Sequence, residues 1–219
     1  MRTVLLVAAF AAALPLGAQQ PTPPQGQMPA QQTPRAPAQP VAAQSTRATV
    51  WVYLTGRTIG GRWVPGAAGL AGPARILIEY GQPHLRGRRT MTPDLVPADS
   101  IWRLGANMAT QLHTDVDMTI GSAFVPRGTY SMFALPTRAG WKLIINKQTM
   151  QWGTDYDPSM DLARVDLRAR TLTDPMESMA IFLVPQAATN MGSSAGPAQG
   201  VMRIVWDRWE LSTDWKVGR

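Results

Sequence analysis

His113, Asp115 and Asp117 stand at alternate positions, and an imidazole with two carboxylates is a donor set for a divalent ion. On an extended strand such residues share one face, with Cα atoms ~6.5–7 Å apart. Side chains in line on one strand diverge, so a second strand would have to complete the site. Without it, the three are the solvated face of a half-exposed strand. A second oxygen-rich run, Asp155, Asp157, Ser159 and Asp161, has the spacing that opens a calcium loop, with Asp166 where the last acidic ligand would fall. Met160 stands in place of the sharp-turn glycine, and Pro158 lies inside the run. The same residues therefore also read as an Asp-Pro turn in which Asp157 accepts backbone N–H bonds. Calcium or another divalent ion is admissible at these two places but not required, and no other cofactor is indicated.

The segment IWRLGANMAT (101–110) raises a different chemistry. Exposed tryptophan beside Asn, Asp and Arg holds flat or sugar-like ligands by stacking and hydrogen bonding. Trp102, Arg103, Asn107, Trp152, Tyr156, Asp157 and Arg164 form the candidate ligand-binding set. A structural reading stands beside it. Trp102 plugs the core, and the Arg103 fork ties down a loop through Asp157, Asp161 or Glu79. Gly105 and Asn107, both tolerant of left-handed backbone, turn the chain. Among the eight tryptophans, alternation assigns Trp102, Trp141 and Trp206 to the core, while Trp152, followed by Gly153, reads as a surface aromatic.

Signatures of known catalysis are absent. There is no nucleophile elbow, phosphate loop, dinucleotide fingerprint or His-Glu-x-x-His, and no cysteine. No catalytic residue is assigned. An enzyme would have to work through carboxylates. Asp157 and Asp161 with His84 or His113 could serve a hydrolase or lyase of an extracellular polymer, which needs converging acids roughly 5–10 Å apart.

The elements that would position these residues follow from pattern. Met1-Arg2, an apolar run from Val4 to Leu16, and small residues ending at Ala18 have the build of a secretory signal peptide (1–18). The run is too short for a membrane span of about 20 residues, so no stable span is expected after cleavage. Residues 19–45, rich in Pro, Gln and Ala with Arg35 as the single charge, read as a disordered linker. Without cysteine there is neither a disulfide nor a lipid-anchor thiol, and residues 46–219 must be stable on core packing alone. That core is affordable, since 45% of the chain is hydrophobic and only 16% charged. The net charge of +7 comes from scattered arginines without an aromatic-studded basic run, which argues against nucleic acid.

From Thr46 onward, period-two segments between turn residues predict strands at 49–54, 75–80, 108–115, 117–120, 123–125, 129–135, 141–146, 162–171, 179–184 and 201–209. The 162–171 strand is expected to bury Ala163, Val165, Leu167 and Ala169. No stretch of ten residues carries a helical period. Gly60–Pro73 and Ala187–Gly200 read as loops. The fold class is all-β, an antiparallel, jelly-roll-like β-sandwich.

Four ordered segments carry a family resemblance: EYGQPHLRGR (79–88), LVPADSIWRLGANMAT (95–110), PRGTYSMFALP (126–136) and WKLIINKQTMQWGTDYDPSMDLARV (141–165). The run from about Arg75 to Lys216 resembles the bacterial family catalogued as domain of unknown function 2911. The resemblance implies an exported β-rich domain and brings no reaction with it. The Gly60–Gly72 and Ala187–Gly200 stretches depart from the compact family pattern. The leading expectation is a periplasmic or extracellular, non-enzymatic β-sandwich that binds a small molecule, a glycan or an envelope protein. The alternatives are the carboxylate-dependent hydrolase or lyase and a structural envelope protein.

Overall fold

Alternation of branched or aromatic residues with polar ones makes most of the described chain after Gln44 extended. The computed structural model describes residues 43–54, 56–59, 62–65, 74–186 and 198–219, so the stretch read as a signal peptide (1–18), and all but the last three residues of the stretch read as a linker (19–45), lie outside the described residues. The strands are β1 (Thr46–Leu54), β2 (Gly56–Ile59), β3 (Arg62–Pro65), β4 (Ala74–Gln82), β5 (Thr110–Thr114), β6 (Met118–Ile120), β7 (Ala123–Val125), β8 (Gly128–Thr137), β9 (Gly140–Asn146), β10 (Asp161–Pro185) and β11 (Gln199–Val217). Every pairing among them is antiparallel. One nine-stranded sheet runs β1-β4-β5-β8-β9-β10-β11-β6-β7, and β2-β3 is a separate hairpin. Among the described residues no helix is long and apolar enough to cross a membrane.

The long strands fold this sheet over on itself. β10 pairs with β9 through Leu167 and with β11 from Arg168 onward, shifting register between Thr171 and Ala180. Pro175 falls in that interval, where its missing N–H costs no ladder bond. The bend brings residues 177–181 back onto the end of β4. Met179 N–H donates to Pro83 O at 3.0 Å, Leu85 N–H to Glu177 O at 2.8 Å, and Tyr80 Oη accepts from Ile181 N–H at 3.1 Å. The inner faces of both layers share one core, which includes Ile76, Ile78, Met132, Leu143, Ile181 and Trp206.

Two differences from the sequence reading have one cause. The segments 162–171 and 179–184 are a single strand, and Ala169 is exposed where burial was expected, although Val165 and Leu167 are buried and Ala163 is half-buried. After Leu167 the strand leaves the first layer, so its alternation no longer addresses the same core. β3 lies inside the stretch read as a loop from Gly60 to Pro73, the rest of which is outside the described residues, and β11 runs eight residues past Trp209.

Four tryptophans hold the layers together. The rings of Trp102 and Trp206 stack 6.0 Å apart at 15°, Trp209 meets Trp102 edge-on at 6.0 Å, and Trp141 lies 5.3 Å from Trp209. Two of the four have bonded indole N–H groups. Trp206 Nε1 donates to Glu177 O at 3.3 Å and Trp209 Nε1 to Thr90 Oγ1 at 2.9 Å. Thr90 Oγ1 in turn donates to Asp207 at 3.0 Å.

Glu210, 5% exposed, faces Arg170 across the β10–β11 ladder and accepts a two-pronged fork from it at 2.9 and 2.8 Å, with Arg203 on the same carboxylate. Burial pushes this carboxyl up, but the bonds from Arg170 and Arg203 outweigh it and hold it below its ordinary value. The folded state therefore takes up the proton less readily than the unfolded chain. The resulting stabilisation is complete above the unfolded carboxyl pKa of about 4.3 and is lost as the pH falls through the lower folded value. Urea midpoints followed from pH 7 to pH 2 are expected to drop below that point. Glu210→Gln is expected to show a smaller drop over the same range. An identical acid limb in the two proteins would rule this contribution out.

Candidate functional site

The 101–110 segment forms a corner that continues one strand and begins another. Trp102 and Ala134 exchange both backbone bonds at 2.8 Å, so residue 102 takes the place beside β8 that β5 vacates. The chain then loops out and re-enters as β5 at Thr110, whose hydroxyl donates to Leu104 O at 2.7 Å. Leu104 (φ 51°) and Asn107 (φ 64°) take the left-handed conformation. Asn107 was expected there. Leu104 replaces Gly105 in that role and is held to it by complete burial and the Thr110 bond. The glycine has a different purpose. Ala106 N–H donates to Gly81 O at 2.9 Å, and a Cβ on Gly105 would lie 2.9 Å from that same oxygen.

Arg103 lies flat on Gly153, where a Cβ would fall 2.3 Å from its Cδ, and its Nη1 donates to Asn107 O at 3.1 Å. Burial pulls its pKa down. The expected carboxylate partner is corrected: none of the three candidates reaches Arg103, because each is engaged elsewhere. Glu79 pairs with Arg47, Asp161 with Arg164, and Asp157 with Ser159. Arg103 thus binds the corner's own Asn107 carbonyl and packs over Gly153, whose N–H donates to the same oxygen at 3.0 Å, beside the Met108 bridge to Trp152.

The remaining candidates divide into two groups. Trp102 is core, 4% exposed, whereas Trp152 is a surface aromatic, 48% exposed. Tyr156, Asp161 and Arg164 form a closed cluster. Tyr156 Oη donates to Asp161 at 2.8 Å, and Arg164 donates to both Asp161 at 2.9 Å and Tyr156 Oη at 3.0 Å. Asn146, fully buried, adds a bond to Asp161 at 2.9 Å. Burial, then the bond to Asp161 and its charge, push the Tyr156 phenol up to about 12. Asp157 accepts from Ser159 N–H at 2.9 Å and caps the short 3-10 turn Pro158–Met160, the Asp-Pro turn of the sequence reading. These bonds engage both Asp161 oxygens, the Tyr156 hydroxyl and one Asp157 oxygen.

The metal candidates are placed as follows. His113 Nε2 meets Asp115 Oδ1 at 2.8 Å and His113 Nδ1 meets Thr129 Oγ1 at 3.0 Å, while the other Asp115 oxygen accepts from Arg75 N–H. Asp117 turns away to accept from Arg127 N–H at 2.9 Å. Asp155 N–H donates to Trp152 O, and Asp157 and Asp161 hold the partners given above. Among the described residues, no three His, Asp or Glu side chains converge as a metal site. His84, considered for the hydrolase, bonds Ser178 Oγ at 2.7 Å where β4 meets β10.

What the corner does create is a groove of about 200 Å³ on the outer face of the first layer. Asn107 and Met108 form one wall, Arg47 and Glu79 the other, and Gln111 and Met150 complete it. Asn107 is exposed and its amide is free of protein bonds among the described residues. Of these six residues, Asn107 belongs to the candidate set read from the sequence, and Glu79 appears there only as an expected partner of Arg103. The signal of the others lies in pairing: Arg47 faces Gly81, and Glu79 faces Gln111.

In comparisons with known proteins, a family model described as Protein of unknown function (DUF2911) matches residues 67–213. No curated protein and no solved structure matches the chain.

Proposed function

The chain belongs to the DUF2911 family, and from that premise we propose that it is an exported, non-enzymatic binding protein of the periplasm or cell exterior whose ligand occupies the groove beside Asn107. The observation that carries this reading is the combination of an open, largely apolar cavity with a free amide at its rim. The acids considered for catalysis have other partners: Arg164, Tyr156 and Asn146 bond Asp161, and Ser159 bonds Asp157. A divalent ion is no part of the reading.

The experiment is a small-molecule and glycan binding screen on the secreted chain, followed by Asn107→Gly. Glycine keeps the left-handed backbone (φ 64°) while removing the amide. Binding is expected to weaken about tenfold, the effect of one lost hydrogen bond of about 1.4 kcal/mol, with the melting midpoint nearly unchanged. Unaltered affinity in Asn107→Gly would overturn the groove as the site.

A further inference from the structure

The groove opens onto a second feature of the same face. Ala48, Val50 and Val52 of β1 pack on the core, so Trp51 and Tyr53 point outward, 51% and 54% exposed, with ring centroids 5.5 Å apart. The ladder sets Trp51 opposite Leu77, and Leu77 opposite His113, which lies opposite Thr129 on β8. One row along β1, Tyr53 lies opposite Arg75, whose guanidinium is 3.9 Å from Asp115. In the other direction Thr49 leads to Glu79 and to the groove. From Arg47 to Tyr53 the outward residues make a track about 20 Å long at the rise of a strand.

We propose that this track binds an uncharged oligosaccharide chain, with Trp51 and Tyr53 as its stacking ledge and the groove at Asn107 and Glu79 as its polar end; this rests on the groove reading above. Three observations select the ligand class. Two half-exposed aromatic rings side by side offer flat apolar surface to the C–H faces of sugar rings. The hydroxyls of Thr49 and Thr129 lie on the same face and can meet sugar hydroxyls, while the His113 ring and the Gln111 amide are held in place by their own protein bonds. The charges of the face cancel locally, Arg47 with Glu79 and Arg75 with Asp115, in a chain of net charge +7. A surface for phosphates or acidic polymers would keep its cations unpaired. The extent of the track calls for several sugar units rather than one.

The test is isothermal titration of the full secreted chain with three probes: a β-1,4-glucose hexamer, an N-acetylglucosamine hexamer and a galacturonic acid hexamer. The neutral hexamers, one or both, are expected to bind, and the acidic one is not. Trp51→Ala is expected to weaken binding by about thirtyfold, the loss of a central aromatic anchor, and Tyr53→Ala by less. Both residues are exposed, so melting midpoints should stay near that of the unmodified chain. Binding that survives Trp51→Ala and Tyr53→Ala but weakens in Asn107→Gly would overturn the ledge and leave the groove standing. Preference for the acidic hexamer, or no binding to any of the three, would also overturn the proposal. A small-molecule ligand sensitive to Asn107→Gly would then still support the groove by itself.

Discussion

Replacing Trp206 with alanine is expected to destabilise the protein by about 3–5 kcal/mol, the cost of deleting a buried aromatic ring. For a domain of this size that is a fall in melting midpoint of about 10 °C. Trp206 is 1% exposed and stacks on Trp102, which in turn meets Trp209. The hole left by its ring would be lined by side chains from both layers, none free to collapse into it. The Glu177 carbonyl would also lose the indole donor. Trp51→Ala is the matched control, because Trp51 is half exposed and outside the core. Its midpoint should shift by less than about 0.5 kcal/mol in equivalent stability. Thermal and urea melts of the two variants decide the matter. Equal effects would falsify the division of the tryptophans into a structural cluster and a surface ledge.

Gly81→Ala is expected to be the second severe change, although it adds a single methyl group. An added Cβ would lie 1.9 Å from the Ala106 carbonyl oxygen, and the clash is with backbone, which has no rotamer to escape into. Relief requires the 104–107 corner to lift away from β4. That motion breaks the 2.9 Å bond from Ala106 N–H to Gly81 O. Overpacking and the lost bond together should cost about 2–4 kcal/mol. The wall of the groove would also move, so ligand affinity should fall with stability, unlike the Asn107→Gly variant, in which affinity falls alone. Gly87→Ala is the control. Its added Cβ meets nothing within 4 Å, and only its left-handed φ of 76° is penalised, at about 1 kcal/mol. A Gly81→Ala protein as stable as Gly87→Ala would show that the corner is not seated on β4.

The segment around Trp102 shows how far local chemistry carries. Its residue types announce a turn between strands, and the structure has one there. Asn107 was readable as a left-handed residue, but Leu104 was not, because it is held there by a hydroxyl six residues ahead and by burial on all sides. The partner of Arg103 was not readable either. A guanidinium beside several carboxylates in sequence suggests an ion pair, but Glu79 is claimed by Arg47 of β1, Asp161 by Arg164 of β10, and Asp157 by Ser159. Competition among partners is settled by three-dimensional distance, not by spacing along the chain.

The Val50-Trp51-Val52-Tyr53 run makes the same point for the fold. Period-two alternation by itself establishes a strand with two different faces, because each residue turns its side chain opposite to the last. It does not say which face is the core when both are apolar, and tryptophan is the larger apolar residue. Val50 and Val52 face inward only because β4, opposite them, turns Ile76 and Ile78 to the interior. From its amino acids alone this chain was bound to be all-β and cysteine-free, with a turn between strands at residues 101–110. These follow from local preference, composition and period. The bend of β10, the groove against Gly81 and the outward ledge of Trp51 and Tyr53 came from tertiary structure, since each depends on which strand lies beside which.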